Sequence, residues 1–161
     1  MSNDTLIKQG YGLPHIHLGQ FADEVSGRFG AARKVRKSSA LRTYWLYPDA
    51  GFDCIISSKS KRVLSIFFHA QNGGRLQEIQ VVCQKAVTFH ATESEVRGAF
   101  GPPDKVGGDF TTGGGEYVPK WLSYPSGIGF YFGKDGGVET IGVFRPSRLR
   151  KPEDRHDVTP V

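Results

Sequence analysis

Asp23-Glu24-Val25-Ser26-Gly27-Arg28-Phe29-Gly30 and Ser94-Glu95-Val96-Arg97-Gly98-Ala99-Phe100-Gly101 are the two stretches on which the reading of the fold turns. Glu, Val, Gly, Phe and Gly recur in both at one spacing, Val25 answering Val96 and Phe29 answering Phe100. Self-similarity in fixed order is the mark of a duplicated unit. Downstream, Trp45-Leu46-Tyr47-Pro48 echoes Trp121-Leu122-Ser123-Tyr124-Pro125, and Gly51-Phe52 echoes Gly127-Ile128. Val63-Leu64-Ser65-Ile66 then parallels Val138-Glu139-Thr140-Ile141. The second set is displaced by extra residues around Gly113-Gly114-Gly115, where a loop tolerates insertion.

Each stretch reads as a short helix. Thr92-Glu93-Ser94-Glu95 is a capping box, in which the Thr92 hydroxyl accepts from the Glu95 amide while Glu95 reaches back. Val96, Ala99 and Phe100 supply a stripe at helical spacing. Gly101 suits the residue after the helix, and Pro102-Pro103 forbids its continuation. Val25, Phe29 and Gly30 play the same parts in the first stretch. Phe21 stands there in place of the capping threonine.

Strands follow each helix. The first set is expected at Arg42–Pro48, Phe52–Ser57, Arg62–Phe68 and Leu76–Cys83, the second at Lys120–Tyr124, Ile128–Phe132 and Val138–Phe144. Helices this short cannot stand alone in water and must lie on a sheet. The expected class is α+β: two tandem copies of a short helix packed on an antiparallel β-sheet, joined in one continuous curved sheet. The expected divisions are a first repeat over 1–84, a second over 85–146, and a basic, flexible tail over 147–161.

The pattern from Leu18-Gly19 through Glu24-Val25 and Phe29-Gly30 to Trp-Leu-Tyr-Pro and Gly-Phe resembles a known repeat. It is similar to that of the BamE/SmpA outer-membrane lipoproteins and, in tandem, of the β-lactamase inhibitory protein family. The second stretch adds the Pro-Pro-Asp that such repeats carry after the helix. The resemblance covers most of residues 12–144 and implies a non-enzymatic task of gripping another protein. The lipoproteins' export signal and lipidated cysteine have no counterpart in these residues.

Bulk composition narrows the classes. Hydrophobic residues form 38% and charged ones 23% of 161 residues, enough for a core and too apolar for a disordered chain. No run approaches the roughly 18 apolar residues of a membrane span, and Met1-Ser-Asn-Asp-Thr-Leu-Ile-Lys does not read as an export segment. A cytoplasmic address with no membrane role is expected. Cys54 and Cys83 sit in strand-like runs and are expected as buried thiols, since two cysteines make no disulfide framework.

The net charge of +5 is clustered. Arg28, Arg33, Lys34, Arg36, Lys37 and Arg42 fall within 28–42, and that segment holds no acid. Such a cluster can meet an acidic protein or phosphates.

Candidate chemistry is sparse. His15-Ile16-His17 offers two imidazoles, which do not close a metal site. Neither His69 nor His90 lies in a nucleophile motif, although a Ser-His-acid site could assemble through folding. The glycine-rich run 107–115 lacks the Gly-Lys-Ser/Thr ending of a phosphate loop and reads as a connector. No cofactor, metal or catalytic residue is expected.

Strand alternation places Leu46, Leu64, Ile66, Phe130, Ile141 and Val143 toward the helices, and Trp45, Tyr47, Phe67, Trp121 and Tyr131 on the opposite face. The leading reading is therefore a non-catalytic protein-binding module, an inhibitor or toxin-neutralising immunity protein being its most concrete form. Its contacts would be Trp45, Tyr47, Trp121 and Tyr131, with Arg36, Lys37 and Arg42 as a charged rim for an acidic partner. A nucleic-acid-binding protein using the basic 28–42 segment is the second reading, and an enzyme of unrecognised type the third.

Overall fold

The computed structural model describes residues 6–70, 80–81 and 87–154. In chain order the elements are β1 (Leu6–Ile7), β2 (Gly12–Leu13), β3 (Ile16–His17), α1 (Ala22–Phe29), β4 (Lys34–Ser39), β5 (Arg42–Tyr47), β6 (Phe52–Ser57) and β7 (Val63–His69). There follow β8 (Gln80–Val81), α2 (Glu93–Phe100), β9 (Lys105–Gly107), β10 (Phe110–Thr111), β11 (Tyr117–Val118), β12 (Trp121–Tyr124), β13 (Ile128–Phe132) and β14 (Val138–Phe144). Eight strands form one antiparallel sheet in the order β4-β5-β6-β7-β14-β13-β12-β9. Of the expected strand at Leu76–Cys83, only β8 falls within the described residues; Cys83 lies outside them.

This architecture corrects the expected α+β class of two tandem helix-on-sheet copies. Among the described residues strands account for 45% and helix for 16%, so the fold is mostly β. The physical reason lies in the sheet and its core. β7 and β14 are hydrogen-bonded neighbours from Thr140↔His69 to Phe144↔Ser65, and one hydrophobic cluster runs from Ile7 to Val143. The helices add little burial: α1 buries Ala22 and Val25, and α2 only Val96. Recurring helix motifs in the sequence overstate the weight of elements that are eight residues long.

Local signals at the helix ends match the structure. Glu95 N–H donates to Thr92 Oγ1 at 3.2 Å, and Thr92 N–H donates to Glu95 Oε1 at 3.3 Å. Phe21 gives α1 no side-chain cap. Gly30 and Gly101 take φ of 82° and 80°, a region that favours glycine. Phe29 and Phe100 lie over Phe52 and Phe130 at 4.9 and 5.1 Å between ring centroids.

Both faces of the central strands are covered: all of β6 and all of β7 except His69 are buried. The helix face holds Tyr47, Cys54, Ile66, Phe68, Phe130 and Ile141 among others. The far face holds Tyr44, Ile55, Leu64, Phe67 and Tyr131, with Leu46 and Trp121 against them. Beyond β14, Ser147–Leu149 and Pro152–Asp154 form 3-10 turns, and Arg145 Nη1 meets Asp154 Oδ2 at 2.9 Å.

Candidate functional site

The sequence Lys34-Val35-Arg36-Lys37-Ser38-Ser39 has basic residues at both parities, so as a strand it owns no apolar face to bury. It is held by pairing with β5, from Lys34↔Leu46 to Ser39↔Arg42, and ends the sheet. Five of its six residues are exposed, Val35 to 57%. Among the described residues β4 has a strand on one side only. Arg36 and Lys37 therefore stand on an open sheet edge, and Arg42 follows on β5, half-buried opposite Ser57. Charged side chains on an open edge oppose pairing between like copies.

The expected aromatic contact face is not what the structure presents. Trp45 and Tyr47 belong to the helix face, and Leu46 and Leu64 to the far face. Tyr47 pairs with Phe52 and packs against Phe29, whose ring centroid is 5.9 Å away. A register shift between Ile55 and Ile56, opposite Leu64, changes the alternation from strand to strand. Phe67, Trp121 and Tyr131 are on the far face as expected, but Tyr131 is only 2% exposed and Tyr47 only 5%. Trp45 and Trp121 are half-buried.

The far-face rings lie down on glycines. A Cβ at Gly142 would meet Tyr131 Cε2 at 3.1 Å and Phe67 Cε1 at 3.2 Å, and one at Gly107 would run into the indole of Trp121. Tyr44 and Phe67 stack with centroids 6.2 Å apart.

Folding also assembles one polar constellation from residues far apart in sequence. Asp53 of β6, His69 of β7 and Thr140 of β14 stand on adjacent strands, with His69 Nε2 2.8 Å from Asp53 Oδ2 and Nδ1 3.0 Å from Thr140 Oγ1. With Nε2 protonated, His69 donates to Asp53 and accepts from Thr140. The three line a cavity of about 230 Å³ together with Leu46, Pro48, Gly51 and Glu139.

Hydroxyl, base and orienting carboxylate are parts of a nucleophilic site. The amides around them are committed: His69 N–H to Gly51 O, Ala70 N–H to Glu139 O and Gly51 N–H to Tyr47 O. Thr140 itself is paired on both sides, with His69 and Tyr131. These amides are not free to hold a developing oxyanion. The constellation links three adjacent strands through the His69 ring.

Among the described residues no group of three or more His, Cys, Asp and Glu could hold a metal ion. His17 is engaged with the Leu18 carbonyl, Nδ1 to O 3.0 Å, and stacks on Tyr11. Burial pushes the Cys54 thiol well above its ordinary value, with Asp53 adding to the effect, so it is held as an unreactive neutral group. Within the run 107–115, Phe110–Thr111 pairs with Tyr117–Val118 as a small antiparallel ladder. No helix among the described residues is long and apolar enough to cross a membrane.

No family model matches the chain, and no curated protein matches it. Among solved structures the chain shows distant similarity to the following. One is a DUF4309-family protein (YjgB) of Bacillus subtilis, 13% identical, with a TM-score of 0.48 and 76% of each chain covered. A second is an extracellular protein of Bacillus anthracis containing an SCP domain, 8% identical, with a TM-score of 0.48 over 82% of this chain and 45% of that one. A third is a cysteine-rich secretory protein (SAV1118) of Staphylococcus aureus, 13% identical, with a TM-score of 0.46 over 89% and 52%. This chain thus spans about half the length of the latter two.

Proposed function

We propose that this chain is a non-catalytic binding protein that captures an extended, acidic segment of a partner protein along β4. The observation that carries the reading is the edge itself: an exposed strand whose Lys34, Arg36 and Lys37 sit in a segment with no acid. An extended peptide can add to such an edge as a further strand, main-chain hydrogen bonds giving affinity and side chains giving selection. Lysine and arginine that repel a second copy would attract glutamate and aspartate.

A protein segment fits better than nucleic acid, because single strands bind through exposed rings beside basic groups. Next to β4, Tyr44 is 2% exposed, and the half-buried Trp45 packs against the helix-face core. Inhibition or toxin neutralisation would be the most concrete form of such capture. A cytoplasmic setting belongs to the same proposal, and the free thiol of Cys54 is compatible with a reducing compartment.

The test is calorimetric titration of the full chain with three probes: a short peptide alternating Glu and Val, its Lys-Val counterpart, and a single-stranded oligonucleotide. The Glu-Val peptide should bind, and Lys34→Glu with Lys37→Glu should weaken it by about tenfold or more, at unchanged thermal stability. Steeply salt-dependent binding of the oligonucleotide, with none of the peptide, would overturn the reading in favour of nucleic acid.

A further inference from the structure

At the head of β4 the surface is indented. A cleft of about 310 Å³ lies between the end of α1 and the β5–β6 turn, lined by Arg28, Phe29, Arg33, Tyr47, Pro48 and Asp49. We propose that this cleft is the selectivity pocket of the edge and takes an apolar side chain with a carboxylate beside it. The proposal rests on the edge-binding reading and names the chemistry of the captured segment.

Three observations converge. First, the lining is divided: Phe29, Pro48 and the ring of Tyr47 are apolar, while Arg28 and Arg33 supply two guanidinium groups. The Tyr47 hydroxyl is already spent on the Gly30 carbonyl at 3.0 Å, so Tyr47 offers the pocket its ring. Second, Arg33 is lightly held. Its Nη1 lies 3.8 Å from Asp49 Oδ1 with side chains 69% and 92% exposed, a pair of the kind that contributes little. An incoming carboxylate can take the place of Asp49 in a bidentate fork. Third, the cleft lies at the start of the edge strand: Arg33, one of its lining residues, directly precedes Lys34 and is anchored to β5 by its N–H to Leu46 O. A segment laid along β4 therefore brings its end side chains to the cleft.

The other end of the sheet provides a contrast within the same molecule. There the Tyr124 hydroxyl donates to the Gly101 carbonyl at 2.9 Å, the same bond in the same setting. At the sequence offset that aligns Val25 with Val96, the counterparts of Arg28 and Arg33 are Ala99 and Asp104. The aromatic tie is present at both ends, whereas the paired guanidinium groups are present at one.

The experiment is calorimetric titration of the full chain with a plain peptide alternating Glu and Ser, which carries no apolar side chain, and with two versions carrying a Leu-Asp pair, one at the amino end and one at the carboxyl end. One paired version should bind about tenfold more tightly than the plain peptide. That gain should vanish in Ala31→Trp, which fills the cleft from an exposed position, and in Arg28→Ser, while the plain peptide is still bound. Melting curves establish that each variant is folded, and either variant alone suffices. If all three peptides bind equally, or if the gain persists in the folded variants, the pocket is overturned and the edge reading stands. If no peptide binds at all, both are overturned.

Discussion

The Tyr47 hydroxyl donates to the Gly30 carbonyl at 3.0 Å and so ties the last residue of β5 to the residue that ends α1. Burial, with a smaller contribution from Cys54, pushes the Tyr47 phenol up to about 12, so it remains a donor throughout the ordinary pH range. Tyr47→Phe should lower the unfolding free energy by about 1 kcal/mol, measured by urea titration. Tyr124→Phe should cost a similar amount through Gly101.

Two glycine substitutions should move stability in opposite directions. Gly142→Ala puts a methyl group against Tyr131 and Phe67 at 3.1 and 3.2 Å, so overpacking should cost about 1–3 kcal/mol. Gly27→Ala lies inside α1 with nothing within 4 Å of the new Cβ, and should gain roughly 0.5–1 kcal/mol from helix propensity. Denaturant midpoints that shift the same way for both would contradict the packing described.

Glu93 joins α2 to the sheet through Lys120 Nζ at 2.7 Å and meets Arg97 Nε at 2.8 Å. The hydrogen bond from Lys120, with Arg97 assisting, holds its carboxyl below the usual 4.5 despite partial burial. A carboxyl lowered in the folded state adds stability that is complete above its unfolded value and lost as pH falls through the folded one. Glu93→Gln should therefore cost about 0.2–1 kcal/mol at neutral pH and nothing once both forms are protonated. Melting temperatures of the two proteins, compared from neutral pH to below 4.5, should converge at the acid end.

The Asp53–His69–Thr140 link is a structural prediction. Asp53→Ala leaves the half-buried His69 without its carboxylate and should cost about 1–3 kcal/mol. Thr140→Val should cost less, because the Asp53 bond survives. Appreciable esterase activity in the wild-type chain, lost in both variants, would show instead that the site performs acyl transfer.

The sequence made some of this legible, and the reason is local. Thr92 and Glu95 announce a helix start by their own chemistry, and the runs at 52–57, 128–132 and 138–144 are apolar enough to be strands in any context. The faces were not legible in that way. The alternation of β7 is offset by the irregularity opposite Leu64, so parity cannot be carried from Leu46 to Phe67 by counting. β4 is not legible as a strand because Lys34-Val35-Arg36-Lys37 has the pattern of a solvated loop; only its ladder with β5 makes it an edge. Asp53, His69 and Thr140 became neighbours through strand order, which no spacing in the sequence records.

The central claim is that an acidic extended segment pairs with β4, and amide hydrogen exchange over residues 34–39 tests it most directly. In the free chain the amides on the open side of β4 should exchange rapidly, as exposed edge hydrogens do. With the Glu-Val peptide at saturation they should slow by about tenfold or more, while those of β9, the opposite edge, are unchanged. Slowing spread evenly over the molecule, or a peptide that binds and leaves the exchange of residues 34–39 untouched, would contradict the account.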